Sequence, residues 1–329
     1  MGRISIIGDG GWGTALAVLL ASKGDETVLW SVSPAYAAFL DKKRENVKFL
    51  EGVSLPEGIK VTSDVDFAGK AEYAFFAVPC GYLRSVAGKF SKAKFRHVIS
   101  ATKGIENGTL KRPSEILKAN FPDKTVSVLS GPSIAFEVAR HIPTTIVVAS
   151  ESEDGRKVGG LLTTERFRVY TSGDVIGVEM GGALKNVIAI AAGISDGMGF
   201  GTNAKAAILT RGLAEITRLG VKMGAERSTF SGLSGVGDLA TTCISSHSRN
   251  RWFGAEIASG RSVEEILGDT EMVVEGFGTA KSAHELSKKY GVEMPIAEKV
   301  YEVLYEKKDP GSAVKELMTR DPKDEDFGT

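Results

Sequence analysis

Two stretches of this chain combine residue types that can do chemistry. The first is Gly8-Asp9-Gly10-Gly11-Trp12-Gly13, a G-x-G-x-x-G spacing placed directly after an apolar run and directly before a helical pattern starting near Thr14. In a strand–loop–helix setting the three glycines have separate tasks. Gly8 permits the tight turn, Gly10 lets backbone approach a pyrophosphate, and Gly13 lets the helix pack on the strand. The helix N-terminus then offers free N–H groups and a partial positive charge. Asp9 puts a carboxylate inside the loop, which repels a pyrophosphate unless its side chain points away. The second stretch surrounds Lys185, the only charged residue in 180–193 among apolar and small neighbours. Such a lysine either snorkels to water or has its ammonium desolvated in a cleft, where desolvation or a second cation brings it into the range of a general acid or base. Gly181 and Gly182, one turn earlier, allow another backbone or a cofactor ring to come close.

Smaller polar clusters supply partners for these two. Ala101-Thr102-Lys103-Gly104 and Ser130-Gly131-Pro132-Ser133 each end an apolar strand pattern on its carboxyl side, where doubly wound sheets bind ligands. Gly235-Val-Gly237-Asp238-Leu-Ala-Thr241-Thr242 sets an acid between glycines and hydroxyls. Ser248-Arg249-Asn250-Arg251, just before a helical pattern, combines a guanidinium fork with hydrogen-bonding side chains, a grip suited to phosphate. His97, His141, His247 and His284 show no metal-ligand spacing, so no metal site is expected.

The elements that must position these residues change character along the chain. Up to about residue 171, short runs rich in Val, Ile and aromatics (3–7, 27–30, 59–61, 73–78, 97–101, 125–129, 144–149 and 167–171) alternate with amphipathic stretches such as 14–22, 34–44 and 113–120. Alternation of that kind predicts a doubly wound parallel sheet with helices on both faces. Beyond it the strand signal stops and helical spacing dominates, at 178–194, 204–219, 250–258, 263–267, 277–290 and 294–306. The expected organisation is α/β: a Rossmann-type dinucleotide-binding domain over 1–174 and an all-helical substrate domain over 175–329. The end of the chain, Arg320 to Thr329, is charged and expected to fray.

Composition narrows the function classes. With 329 residues, two domains are the prior, and a sizeable core needs no disulfide or metal. Lys+Arg and Asp+Glu are both 41, so the net charge of zero argues against a nucleic-acid partner or a polybasic membrane surface. Cys80 and Cys243 form no CxxC pair, which fits a reducing cytoplasm. No run of 18 consecutive apolar residues occurs, so no membrane span is expected. Glycine is the unusual total: 39 of 329, about 12% against an average near 7%, clustered where backbone must turn or approach a ligand.

With these residues in view, the chain resembles the bacterial-type NAD(P)-dependent glycerol-3-phosphate dehydrogenases. The matching blocks are Gly8–Ala17 (GDGGWGTALA), Ala101–Gly104 (ATKG), Ser130–Phe136 (SGPSIAF), Gly182–Ile190 (GALKNVIAI), Gly235–Cys243 (GVGDLATTC), Ser248–Arg251 (SRNR) and Val273–Gly276 (VVEG). They cover most of the chain in the family's order. The resemblance implies reversible hydride transfer between the nicotinamide of NAD or NADP and a phosphorylated triose, interconverting sn-glycerol 3-phosphate and dihydroxyacetone phosphate for phospholipid synthesis. It implies Lys185 as acid/base and Asp238 beside it in the catalytic set, Asp238 and Thr242 orienting the lysine and the substrate hydroxyls. Substrate contacts carried over are Lys103, Lys185, Gly131, Ser133, Asp238, Thr242, Ser248, Arg249 and Asn250. Cofactor contacts are Gly8, Gly10, Gly11, Trp12, Gly13, Val32, Lys103, Ala135, Arg249, Val273 and Glu275. A homodimer is also a family expectation.

The chain departs from the pattern at Asp9 and Gly11, where the family usually has Ala and Ser, and at Val32, where many members carry a basic residue. Neither an acid nor an arginine follows the second strand pattern, and Lys42, Lys43 and Arg44 lie a helix away, so the sequence leaves the NAD/NADP preference open. Two other readings share the layout: a β-hydroxyacid-type dehydrogenase, whose substrate carries a carboxylate, and a non-catalytic NAD(H)-binding sensor.

Overall fold

The computed structural model describes residues 2–322 and 324–325; of the charged tail, Lys323 and residues 326–329 lie outside the described residues. Two compact units divide the chain, Met1–Lys103 with Arg112–Val175, and Gly104–Lys111 with Ile176–Thr329. The division is therefore not a single cut near residue 174. The short segment 104–111 clusters with the helical unit because Ile105 is buried in the helical core and its carbonyl accepts from the Ser282 hydroxyl at 3.1 Å.

The first unit holds one sheet of eight strands: β1 (Ile4–Ile7), β2 (Thr27–Trp30), β3 (Ile59–Thr62), β4 (Tyr73–Phe76), β5 (His97–Ser100), β6 (Val126–Ser130), β7 (Thr144–Ala149) and β8 (Phe167–Ser172). Their order is β3-β2-β1-β4-β5-β6-β7-β8, so the connection reverses direction between β1 and β4. That reversal is the topological switch point, and the glycine loop leaves β1 there. The inner strands read as continuous apolar runs because both faces are covered, whereas the edge strands β3 and β8 expose Lys60, Arg168 and Tyr170. Ile4, Ile6, Leu29, Phe75 and Ile99 enter one core, while Ile7, Val28, Phe76 and Val98 enter another.

One pairing departs from the all-parallel expectation: β7 runs antiparallel to β6, with Leu129 opposite Val148. The helix joining them, Ala135–Ala139, has only five residues. At about 1.5 Å per residue it spans roughly 7.5 Å, too little to carry the chain back along a strand for a parallel return.

The second unit is built around the helix Val175–Gly197, the one described helix long and apolar enough to cross a bilayer by length and composition. Here almost all of it is buried by the unit's own helices, so it is the core helix of a packed bundle. Glycines set how closely its neighbours lie. A Cβ on Gly193 would fall 1.9 Å from the Arg251 carbonyl oxygen, and one on Gly254 2.1 Å from that of Ile190. The helix Arg249–Ala258 therefore lies backbone to backbone on the long helix, a contact open only to glycine at these positions.

Candidate functional site

In the first unit the glycine loop is a fitted piece of backbone. Gly8 has φ 120°, and a Cβ there would meet the Ala77 carbonyl oxygen at 2.6 Å. A Cβ on Gly13 would sit 2.0 Å from the Gly8 carbonyl oxygen, which is how helix Gly11–Ala21 comes down onto the strand end. Gly11 faces the Phe49 carbonyl oxygen, 2.6 Å from where a Cβ would lie, so the family's side chain at this place would collide here. Gly10 differs: nothing lies within 4 Å of its Cβ position. Open space over Gly10 at a helix N-terminus is the cradle a pyrophosphate needs, and the first unit fits a dinucleotide. Trp12 packs on the core beneath the loop, and Ala135 begins the short helix beside Gly11.

Asp9 does not point into that cradle. Its Oδ2 accepts from the Ser31 hydroxyl at 2.5 Å, at the end of β2, and its carbonyl accepts from Asn46 Nδ2 at 2.7 Å. Burial pushes the Asp9 carboxyl up from its ordinary value, while the Ser31 hydroxyl, its own backbone amide and Lys48 pull it down. Asn46 also donates to Thr14 Oγ1 at 2.7 Å and accepts from the Tyr36 hydroxyl at 2.7 Å. It bolts the loop to the segment after β2, and no motif marks it in the sequence. Val32, 61% exposed, follows Ser31. At the ends of β5 and β6, Lys103 Nζ donates to the Gly131 carbonyl at 3.2 Å, and the Ser133 hydroxyl donates to the same oxygen at 3.0 Å. Lys103, Gly131 and Ser133 thus converge.

In the second unit Lys185 is buried, 6% exposed, and Asp238 is 1% exposed. Lys185 Nζ donates to Asp238 Oδ1 at 2.5 Å and to Thr242 Oγ1 at 2.6 Å. The Thr242 hydroxyl gives its own proton to the Asp238 carbonyl at 2.7 Å, one turn back, which turns its lone pairs toward the ammonium. Lys185 is therefore not a snorkelling surface lysine. The acid reaches it through a π-helical turn, Leu233–Gly237, immediately before the helix Asp238–Ile244. Gly181 makes room for that turn, since a Cβ there would lie 2.4 Å from the Ser234 carbonyl oxygen. Cys243, next to Thr242, is fully buried and its thiol is pushed up to about 12, so it offers no reactive thiolate.

The SRNR block starts the helix Arg249–Ala258. Ser248 caps it, accepting from the Arg251 amide at 3.3 Å. Arg249 is solvent-accessible at the first helical position; surrounding protein depresses its guanidinium and Glu275 draws it back up, and it stays cationic. Asn250 is buried and mostly committed: Nδ2 donates to Asn186 Oδ1 at 2.9 Å, and Oδ1 accepts from the Gly276 amide at 2.9 Å. It ties three helices together and keeps at most one amide hydrogen for a ligand. Arg251 belongs to the scaffold, its Nε 2.5 Å from Asp196 Oδ2. Glu275 opens the helix Glu275–Tyr290, and Val273, 38% exposed, lies just ahead of it. Asn186 is a clamp whose only signal in the sequence is its place beside Lys185.

Known proteins resemble this chain over nearly its whole length. The NAD-dependent glycerol-3-phosphate dehydrogenase N-terminus model matches residues 3–155, and the C-terminus model of the same family matches residues 174–315. A glycerol-3-phosphate dehydrogenase [NAD(P)+] of Chlorobium luteolum is 48% identical, covering 98% of this chain and 99% of its own length. The Geobacter sp. (strain M21) protein of the same name is 49% identical, with 98% of each chain covered. Among solved structures, the crystal structure of glycerol-3-phosphate dehydrogenase from Coxiella burnetii superposes with a TM-score of 0.93 at 36% identity, covering 97% of this chain and 99% of that one. The chain is an oxidoreductase and belongs to the NAD(P)-dependent glycerol-3-phosphate dehydrogenase family.

Proposed function

We propose that this protein interconverts sn-glycerol 3-phosphate and dihydroxyacetone phosphate with NAD or NADP, the first unit binding the dinucleotide and the helical unit supplying the acid/base. The observation that carries this reading is the buried Lys185 held by Asp238 and Thr242. Bound nicotinamide supplies or accepts the hydride at C2 of the triose. Reduction builds negative charge on the C2 oxygen, and Lys185 neutralises it by giving up a proton; in oxidation it takes that proton back. A positioned general acid of this kind is worth roughly 10²–10⁴ in rate. Asp238 acts through the lysine, keeping the ammonium aimed, and Thr242 fixes a second of its three donors.

Substrate phosphate is assigned to Arg249 at the start of its helix, where the guanidinium and the helix N-terminus favour an anion together. Ser248 and Asn250 keep the arginine's backbone in place, and Lys103, Gly131 and Ser133 are carried over as further substrate contacts. Gly8, Gly10, Gly11 and Gly13 would hold the pyrophosphate through backbone, with Trp12, Val32, Ala135, Val273 and Glu275 carried over as further cofactor contacts. We place the enzyme in the cytoplasm as a homodimer supplying glycerol phosphate for phospholipid synthesis; its two cysteines are buried and form no disulfide, which suits a reducing compartment.

Oxidation of the reduced cofactor by dihydroxyacetone phosphate, compared with 3-oxo acids, tests the reading. Turnover with the triose phosphate is expected. Turnover with the oxo acids alone would favour the β-hydroxyacid alternative, and cofactor binding without turnover of any substrate the sensor.

A further inference from the structure

Doubly wound folds usually draw the carboxylate that meets the adenosine ribose from the end of the second strand. Here Ser31-Val32-Ser33 follows β2, with no acid. The structure brings one to that place from another part of the chain. Asp9 turns out of the glycine loop, and its carboxylate lies 2.5 Å from the Ser31 hydroxyl, one residue beyond β2. Ser31 is itself fixed: it is fully buried, and its oxygen accepts from the Ser33 amide at 3.3 Å. Asn46 holds the Asp9 carbonyl, so both ends of the residue are anchored. The side chain is only partly buried, and a carboxylate can accept about four hydrogen bonds, so capacity remains for a ligand.

Two of the basic groups nearby, Arg44 and Lys48, are engaged within the chain. Arg44 pairs with Asp41 and donates to the carbonyls of Pro56 at 2.5 Å and Ile59 at 3.0 Å, committed to the loop before β3. Lys48 lies over the rings of Tyr36 and Phe49, 5.9 and 5.2 Å from their centroids, and its charge favours the ionised form of Asp9. Val32 presents an uncharged branched side chain to solvent.

We propose that Asp9, held by Ser31, is the ribose-recognising carboxylate of this enzyme and that it selects NAD(H) against NADP(H). The inference rests on the dinucleotide reading of the glycine loop. Asp9 accepts from the ribose 2′-hydroxyl; a 2′-phosphate in the same place would set like charges against each other, without the Arg44 guanidinium to offset them.

Calorimetric titration of the intact protein with NADH, NADPH and NADH lacking the adenosine 2′-hydroxyl tests this. NADH is expected to bind at least about tenfold tighter than NADPH, and about tenfold tighter than the deoxy analogue, as for a hydrogen bond to a charged acceptor. Asp9→Asn should shrink both ratios by about tenfold. Equal affinities for NADH and NADPH in the parent, or unchanged ratios in a folded Asp9→Asn, would overturn the proposal. If Asp9→Asn does not fold, the deoxy analogue decides with the parent alone, and affinity equal to that of NADH overturns it. Failure of the parent to bind either nucleotide would instead overturn the dinucleotide reading, and this inference with it.

Discussion

Lys185 Nζ and Asp238 Oδ1 are 2.5 Å apart although 53 residues separate them, and neither side chain is more than slightly exposed. A buried ion pair is a poor source of stability, because desolvation offsets most of the attraction, whereas breaking it leaves an uncompensated charge. Asp238→Leu is therefore expected to destabilise the fold by about 3–5 kcal/mol, and the Lys185→Met/Asp238→Leu double variant to recover most of that. Urea denaturation of the three proteins checks it. Asp238→Asn, which keeps the shape, should lower kcat at least about tenfold with NADH affinity unchanged. An unchanged kcat would remove Asp238 from the mechanism.

Arg249→Ala is expected to raise the Michaelis constant for dihydroxyacetone phosphate by at least about tenfold, with a smaller effect on kcat. The check is the same pair of proteins assayed with unphosphorylated dihydroxyacetone, where the two should perform alike. A loss of equal size on both substrates would place Arg249 elsewhere in the reaction.

The glycine seam of the helical unit makes a stability prediction. Gly193→Ala forces a methyl group to within 1.9 Å of the Arg251 carbonyl unless the helices part, and about 1–3 kcal/mol of destabilisation is expected. Gly160, exposed in the helix Asp154–Leu162 with open space at its Cβ, is the control. Gly160→Ala should be neutral or stabilising by about 0.4–1 kcal/mol. Equal denaturation midpoints for the two variants would contradict the close packing.

Glu215 gives the pH dependence. It is buried and accepts from the amides of Ile296 at 2.7 Å and Ala297 at 3.1 Å, capping the helix Pro295–Tyr305 from a different helix. Burial pushes its carboxyl up to about 7, against those two amides and the charges of Arg218 and Arg320. The folded-state value is the higher one, so between about pH 4.5 and 7 the folded chain holds a proton that the unfolded chain has lost. Stability should fall as pH rises through that window, by up to about 1.4 kcal/mol per pH unit. Denaturation curves across it should be flatter for Glu215→Gln; parallel slopes would remove Glu215 as the cause.

Much of this was legible in the residues. Most strands lie where apolar runs end in Gly, Pro or Ser, since inner strands covered on both faces must be apolar throughout. The resemblance implies Lys185, Asp238 and their pairing, whereas residue spacing alone does not give the pairing, because it depends on a π turn and on Gly181 meeting Ser234. Local spacing carries no trace of such contacts. The antiparallel β7 escaped for a related reason: strand–helix–strand alternation does not report that a helix is too short. The helix Pro310–Met318 carries its own N-terminal signal in Asp309 and Pro310. Asn46 has no local signature and Asn186 has only its place beside Lys185, as polar clamps are defined by partners far along the chain.

The most direct test of the whole account is kcat for dihydroxyacetone phosphate reduction by Lys185→Met, measured beside calorimetric NADH affinity. Loss of a proton donor should lower kcat by about 10²–10⁴ while NADH binds as in the parent. Turnover within about threefold of the parent would show that the C2 oxygen takes its proton from another group.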